Sequence, residues 1–195
     1  FPLSYNEEHI HLTGSLTAEF LFPHLNQLLS GPNKKIYEDI IIDNYGESAL
    51  PIKSVEDVDN LIRLKEGEFF EQYLKILLLP KLILTNRKIH EEAAYSMAKD
   101  LKDRYNVGFI RLKFTLSRVS SMEGEQIPGL SDLTEEDVVL GLYDGFKKFQ
   151  AENPKFKFIL SPSFRKEPSF FDKETFANKQ ENFIFQVDKL LEILD

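Results

Sequence analysis

Three short segments with strand character, 4–12, 108–115 and 156–162, are separated by longer stretches whose apolar residues recur at helical spacing. That alternation constrains the chain more than any other feature. Strand–helix–strand connections generate parallel sheets with helices packed against them. Between 108 and 115, Phe109, Arg111 and Lys113 alternate with Ile110, Leu112 and Phe114, the period-two pattern of a strand with two unlike faces. Asn86 to Tyr105 is the clearest helix. Ile89, Ala93, Ala94, Met97 and Leu101 form one side, and Asp100, Lys102, Asp103 and Arg104 form the other. A helix is also expected over Thr17–Leu29, capped by Ser15 or Thr17. Ser54-Val55-Glu56-Asp57 opens a short one in the manner of a capping box. Residues 34–53 read as irregular around the apolar patch Ile40–Ile42. Glu68–Leu79 reads as a helix closed by Pro80, Thr134–Ala151 as a capped helix and Asn178–Leu194 as the last one. The pattern predicts an α/β fold and by itself admits an open sheet and a barrel equally.

Composition narrows the function classes. With 42% apolar residues, 17 of them Phe, the chain can bury a core and is not of a disordered type. Its 24 basic against 32 acidic residues give a net charge of −8, which argues against nucleic acid as a partner. No apolar run approaches the roughly 20 residues of a membrane span, so no membrane partner is expected. There is no Cys for disulfides or thiolate chemistry, and no basic segment followed by an apolar one opens the chain. A trimmed start and a cytoplasmic location are expected. At 195 residues the chain is shorter than the roughly 250 of a complete eight-stranded barrel.

His9-Ile10-His11 is the sharpest chemical feature. Residues i and i+2 of a strand share a face, so both imidazoles are expected to converge, as ligands of a divalent ion such as zinc must. Such pairs also arise by chance, and two ligands do not complete a catalytic zinc site, which has three protein ligands and an open position.

The wider string Glu7-Glu8-His9-Ile10-His11-Leu12-Thr13-Gly14-Ser15-Leu16 resembles the first strand of the adenosine deaminase family. The similarity continues through Ala49-Leu50-Pro51, Ser54–Val58 and Glu68–Tyr73, which look like the helical excursion after that strand. The helix before Phe109–Phe114, then Leu133–Val139, Phe158–Leu160 and Phe164-Arg165-Lys166-Glu167-Pro168, continue it in order. The resemblance implies the N-terminal part, about three strand–helix units, of a (β/α)8 TIM-type barrel. It would be one incomplete domain over 1–195, with the helical excursion at 17–85. It also implies a zinc-dependent hydrolytic deaminase of a purine nucleoside or related base, in which the ion lowers the pKa of a water that attacks the purine. His9 and His11 match the first two metal ligands, and Thr13, Gly14, Phe69, Phe70 and Tyr73 match substrate-facing positions. The aromatic trio reads equally well as core packing.

Two departures stand out. Thr13 replaces the family's usual Asp, which removes a charge from the sugar-binding side. Glu8 replaces the usual Leu and is expected near the strand's start or paired with a Lys. The remaining machinery of the family, a third His ligand, a Glu proton donor, a further His and a metal-binding Asp, belongs to later strands. The other histidines here, His24 and His90, fall on helices and read as surface or packing residues. No catalytic residue is therefore expected within the chain, and the isolated chain is expected to be inactive. Two alternatives stay open. One is a non-catalytic metal-binding or association module, self-associating or pairing with a missing C-terminal part. The other is an amidohydrolase acting on a different substrate.

Overall fold

The structure, a computed structural model, describes residues 3–116, 127–163 and 176–194. The chain divides into two compact units, Phe1–Leu12 with Asn86–Asp195, and Thr13–Thr85. The first holds the three strands, β1 (Tyr5–His11), β2 (Val107–Thr115) and β3 (Lys157–Ser163), paired in parallel in the order β1-β2-β3.

The second unit contains the helices α1 (Ala18–Leu28), α2 (Lys34–Tyr45), α3 (Val55–Ile62), α4 (Phe70–Ile76) and α5 (Leu78–Ile83). Its core gathers Leu21, Leu25, Ile41, Val58, Leu79, Leu82 and Ile83, all almost fully buried. Thr17 caps α1 by accepting from the Phe20 N–H, and Ser54 with Asp57 forms the expected capping box of α3. Two expectations are corrected here. Residues 34–45 are helical rather than irregular. Tyr37 and Ile41, four apart, bury one face, and Lys34 pairs with Glu38 at 3.4 Å along its edge. The helix expected to end at Pro80 is two helices parted at Leu77. Pro80 sits in the first turn of α5, where a missing N–H leaves no intrahelical bond unmade.

The first unit also holds α6 (Arg87–Tyr105), α7 (Glu135–Glu152) and α8 (Phe176–Leu194). Asn86 caps α6 through its Oδ1, which accepts from Ile89 N–H at 3.0 Å. Asn106 ends it in the left-handed conformation, with φ 53°. Thr134 and Asp137 cap α7 reciprocally. α7 lies against α6 through Gly141 and Gly145. A Cβ at Gly145 would stand 2.1 Å from the Glu91 carbonyl oxygen, so only glycine permits this approach. Phe146, fully buried, stacks on Phe158 of β3 at 5.0 Å between ring centroids. Ile110, Leu112 and Phe114 of β2 are buried, whereas Arg111 and Lys113 of the opposite face are only partly so.

The expected part of a (β/α)8 TIM-type barrel is corrected by this topology. Among the described residues the fold is α/β with an open, three-stranded parallel sheet. β2 is central, β1 and β3 are its edges, and an all-helical unit follows β1 in the chain. Closing a sheet on itself requires many tilted strands with an accumulated stagger, which three strands do not supply. Among the described residues, no helix is long and apolar enough to cross a membrane.

Candidate functional site

β1 does not pair evenly with β2. Tyr5 stands opposite Val107, but Asn6 opposite Phe109, so β2 takes one extra residue at Gly108. Glu7 stands opposite Ile110 and Ile10 opposite Leu112, so β1 takes one extra residue over Glu8 and His9. The two shifts have opposite sense and cancel, and His11 comes to lie opposite Lys113. At the first shift a Cβ on Gly108 would fall 2.0 Å from Ser4 Oγ. At the second, Glu7 Oε1 accepts a hydrogen bond from the His9 N–H at 3.0 Å.

The two imidazoles converge at the end of β1. Their Nε2 atoms are 3.2 Å apart and their ring centroids 5.2 Å apart. With metal–nitrogen bonds of about 2.0–2.1 Å, that separation subtends roughly 100° at an ion held by both, close to a tetrahedral angle. Without an ion the same approach is a hydrogen bond, one ring donating to the lone pair of the other. Desolvation of the His11 ring, then the charges of His9 and Lys113, hold its pKa below the ordinary imidazole value. Binding a metal requires the neutral form. The pair therefore fits as part of a ligand set. Among the described residues no group of three or more His, Asp or Glu side chains forms around it or elsewhere.

No protein-family model matches the chain, and no curated protein does. Among solved structures, that of Arabidopsis ADAL complexed with IMP matches with a TM-score of 0.61 and 18% identity, over 99% of this chain and 47% of that one. The likeness is one of fold. The chain spans about half the length of that structure.

The other expected site residues lie in the second unit. Thr13 and Gly14 form the turn after β1, Thr13 partly buried and Gly14 exposed. Phe69 precedes α4 and is 77% exposed, and Tyr73, one turn on, is 40% exposed. Gln72 holds this helix start by accepting from the Phe69 N–H. Neither aromatic is packed into a core. Phe70 opens α4, but its side chain lies outside the described residues, as does the whole stretch 164–168 with Arg165. The second unit has a cleft of about 520 Å³ lined by groups that include Tyr45, Asp57, Arg63 and Lys75. Several are spent on structure. Tyr45 donates to the Lys75 carbonyl, and Asp57 accepts from the Lys53 and Ser54 N–H groups.

Of the helical histidines, His24 packs against Phe20, tilted by 55° with 4.8 Å between ring centroids. His90 is 3% exposed and its Nδ1 donates to the Asn86 carbonyl oxygen at 2.9 Å. Glu8 is exposed and pairs with Arg111 at 3.2 Å, an arginine rather than the expected lysine. Sequence reasoning missed Glu7, Gly108 and Lys113 as neighbours that shape the pair. Gly108 at the mouth of a strand was the available signal, since glycine inside a strand often marks a bulge or a close backbone approach.

Proposed function

We propose that this chain contributes the first two metal ligands, His9 and His11, and part of the purine-binding surface to an adenosine deaminase-like hydrolase acting on a C–N bond. Support comes from the 3.2 Å approach of the two Nε2 atoms at the end of a parallel strand, in a fold shared with a protein solved with IMP. IMP is the 6-oxopurine that remains when a 6-amino group is removed by water, so the substrate class is a 6-aminopurine nucleoside or its phosphate. Thr13 contacts the sugar through a neutral hydroxyl, and Gly14 leaves space beside it. Phe69 and Tyr73 offer apolar area to the base. A bound divalent ion, zinc in this reading, supplies Lewis acidity that makes water nucleophilic near neutral pH. His9 and His11 hold and orient that ion. The proton donor and the remaining ligands come from residues outside this chain, so the isolated chain binds metal without turning substrate over.

Calorimetric titration of the purified chain with zinc tests this. One ion is expected per chain, with binding abolished by His9→Ala or His11→Ala. Binding that both variants leave unchanged overturns the ligand assignment. Rapid ammonia release from adenosine or its monophosphate by the isolated chain overturns the claim that its proton donor lies elsewhere.

A further inference from the structure

We infer that Glu7 is the positioning residue of the histidine pair, its carboxylate holding the local irregularity of β1 that turns both imidazoles onto the sheet face of Arg111 and Lys113. The inference rests on reading His9 and His11 as metal ligands.

In a regular strand, residues 7, 9 and 11 share one face. Laterally paired residues of adjacent strands also share a face. Glu7 lies opposite Ile110, whose side chain is buried with Leu112 and Phe114. An unbroken β1 would therefore carry His9 and His11 to that apolar side, where burying imidazoles without partners is costly. His11 instead lies opposite Lys113, on the other face. The change of face happens within the extra residue between Glu7 and Ile10, because a one-residue slip moves every following side chain across the sheet. Glu8 reaches the same side, where it meets Arg111.

Such an irregularity takes a backbone N–H out of the ladder, and that donor needs another acceptor. Glu7 Oε1 accepts from the His9 N–H at 3.0 Å, so within the irregular stretch the backbone donor of the first histidine is held by this carboxylate. The opposing shift at Gly108, where Ser4 occupies the space of a side chain, comes first and sets Glu7 opposite Ile110. The extra residue that Glu7 holds then returns the register, so that His11 meets Lys113. Glu7 touches neither ion nor substrate and acts through the backbone of His9.

Glu7→Gln keeps an oxygen acceptor and Glu7→Ala does not. The nuclear Overhauser contact between the His9 and His11 rings, read without metal, and cobalt(II) affinity, read by its visible absorption, are measured on wild type and both variants. Glu7→Ala is expected to lose the ring contact and to bind cobalt at least about tenfold more weakly. Glu7→Gln is expected to keep both. Loss in both variants, or in neither, overturns the inference. Should Glu7→Ala not fold, Glu7→Val, a strand-favouring residue with no acceptor, carries the same comparison. If wild type binds no cobalt yet the ring contact follows this pattern, the metal reading fails and the positioning role stands.

Discussion

The two seams of the sheet are built differently. β2 and β3 run in unbroken register from Phe109 opposite Lys157 to Thr115 opposite Ser163. Behind them lies an aromatic cluster in which Phe146 stacks on Phe158 and Phe149 meets Phe156 edge to face at 4.9 Å. β1 and β2 pair through two opposed shifts, one at Gly108 and one over Glu8 and His9. The even seam has apolar side chains locking it from one side and, among the described residues, carries no candidate site residue. The uneven seam carries the histidine pair. The extra residue at Gly108 moves the residues of β1 that follow it towards the apolar face, and the extra residue over Glu8 and His9 brings the imidazoles back off it. Stability and chemistry are thus assigned to opposite sides of β2.

Phe146→Ala should do the most damage, because it empties a fully buried aromatic site behind the even seam. A loss of about 3–5 kcal/mol is expected in urea unfolding. A loss below about 1 kcal/mol would mean that the cluster does not hold the scaffold. Gly108→Val strikes the uneven seam and should cost less, about 1–3 kcal/mol, because the atom it meets, Ser4 Oγ, is the end of a side chain and can turn aside. Hydrogen exchange should show faster exchange in β1 and little change in β3. Replacing Ser4 by Gly should recover part of the loss for the milder Gly108→Ala. Equal loosening of both edge strands would contradict a seam-specific effect.

The smallest effect is a pH dependence. Burial lowers the pKa of His90 below 6.5, an effect partly offset by the Asn86 carbonyl and by Asp137. The unfolded chain then takes up a proton near pH 6.5 that the folded chain refuses. This stability is fully present above about pH 6.5 and is lost as the pH falls from there towards the folded pKa. The slope is at most about 1.4 kcal/mol per pH unit for one proton. Unfolding free energies between pH 7.5 and 5.5 should fall with pH, and His90→Gln should flatten most of that fall. His11, lowered in the same direction, adds a contribution of the same sign. An unchanged slope in His90→Gln would place the proton uptake elsewhere.

Much of the local structure was legible because its causes are local. Asn86, Ser54 and Thr134 each accept from a backbone N–H three residues on, and each marked its helix start in the sequence. The rotation of a helix about its axis was less legible. In α6 the fully buried residues include His90 and Ala98, while Ile89 and Leu101 are only partly buried. That rotation is decided by the glycines of α7, far along the chain, whose bare backbone admits Arg87, His90 and Glu91. The helix α2 was missed because only Tyr37 and Ile41 of its residues are buried, too short an apolar stripe to read. The break at Leu77 was missed because Pro80 looked like an end and is a beginning.

By itself the sequence determined the alternation of strands with the longer helices, the parallel α/β class, the helix caps and the convergence of His9 and His11 on one side of a strand. Those follow from period, capping chemistry and spacing within a few residues. Only the tertiary structure decided that the sheet of the described residues is open, which side of it the histidines take, and that Glu7, Gly108 and Lys113 shape their surroundings. The physical reason is that a strand's register is set against its neighbour. For β1 that neighbour is β2, about a hundred residues away, and one extra residue in either strand changes the face of every side chain that follows.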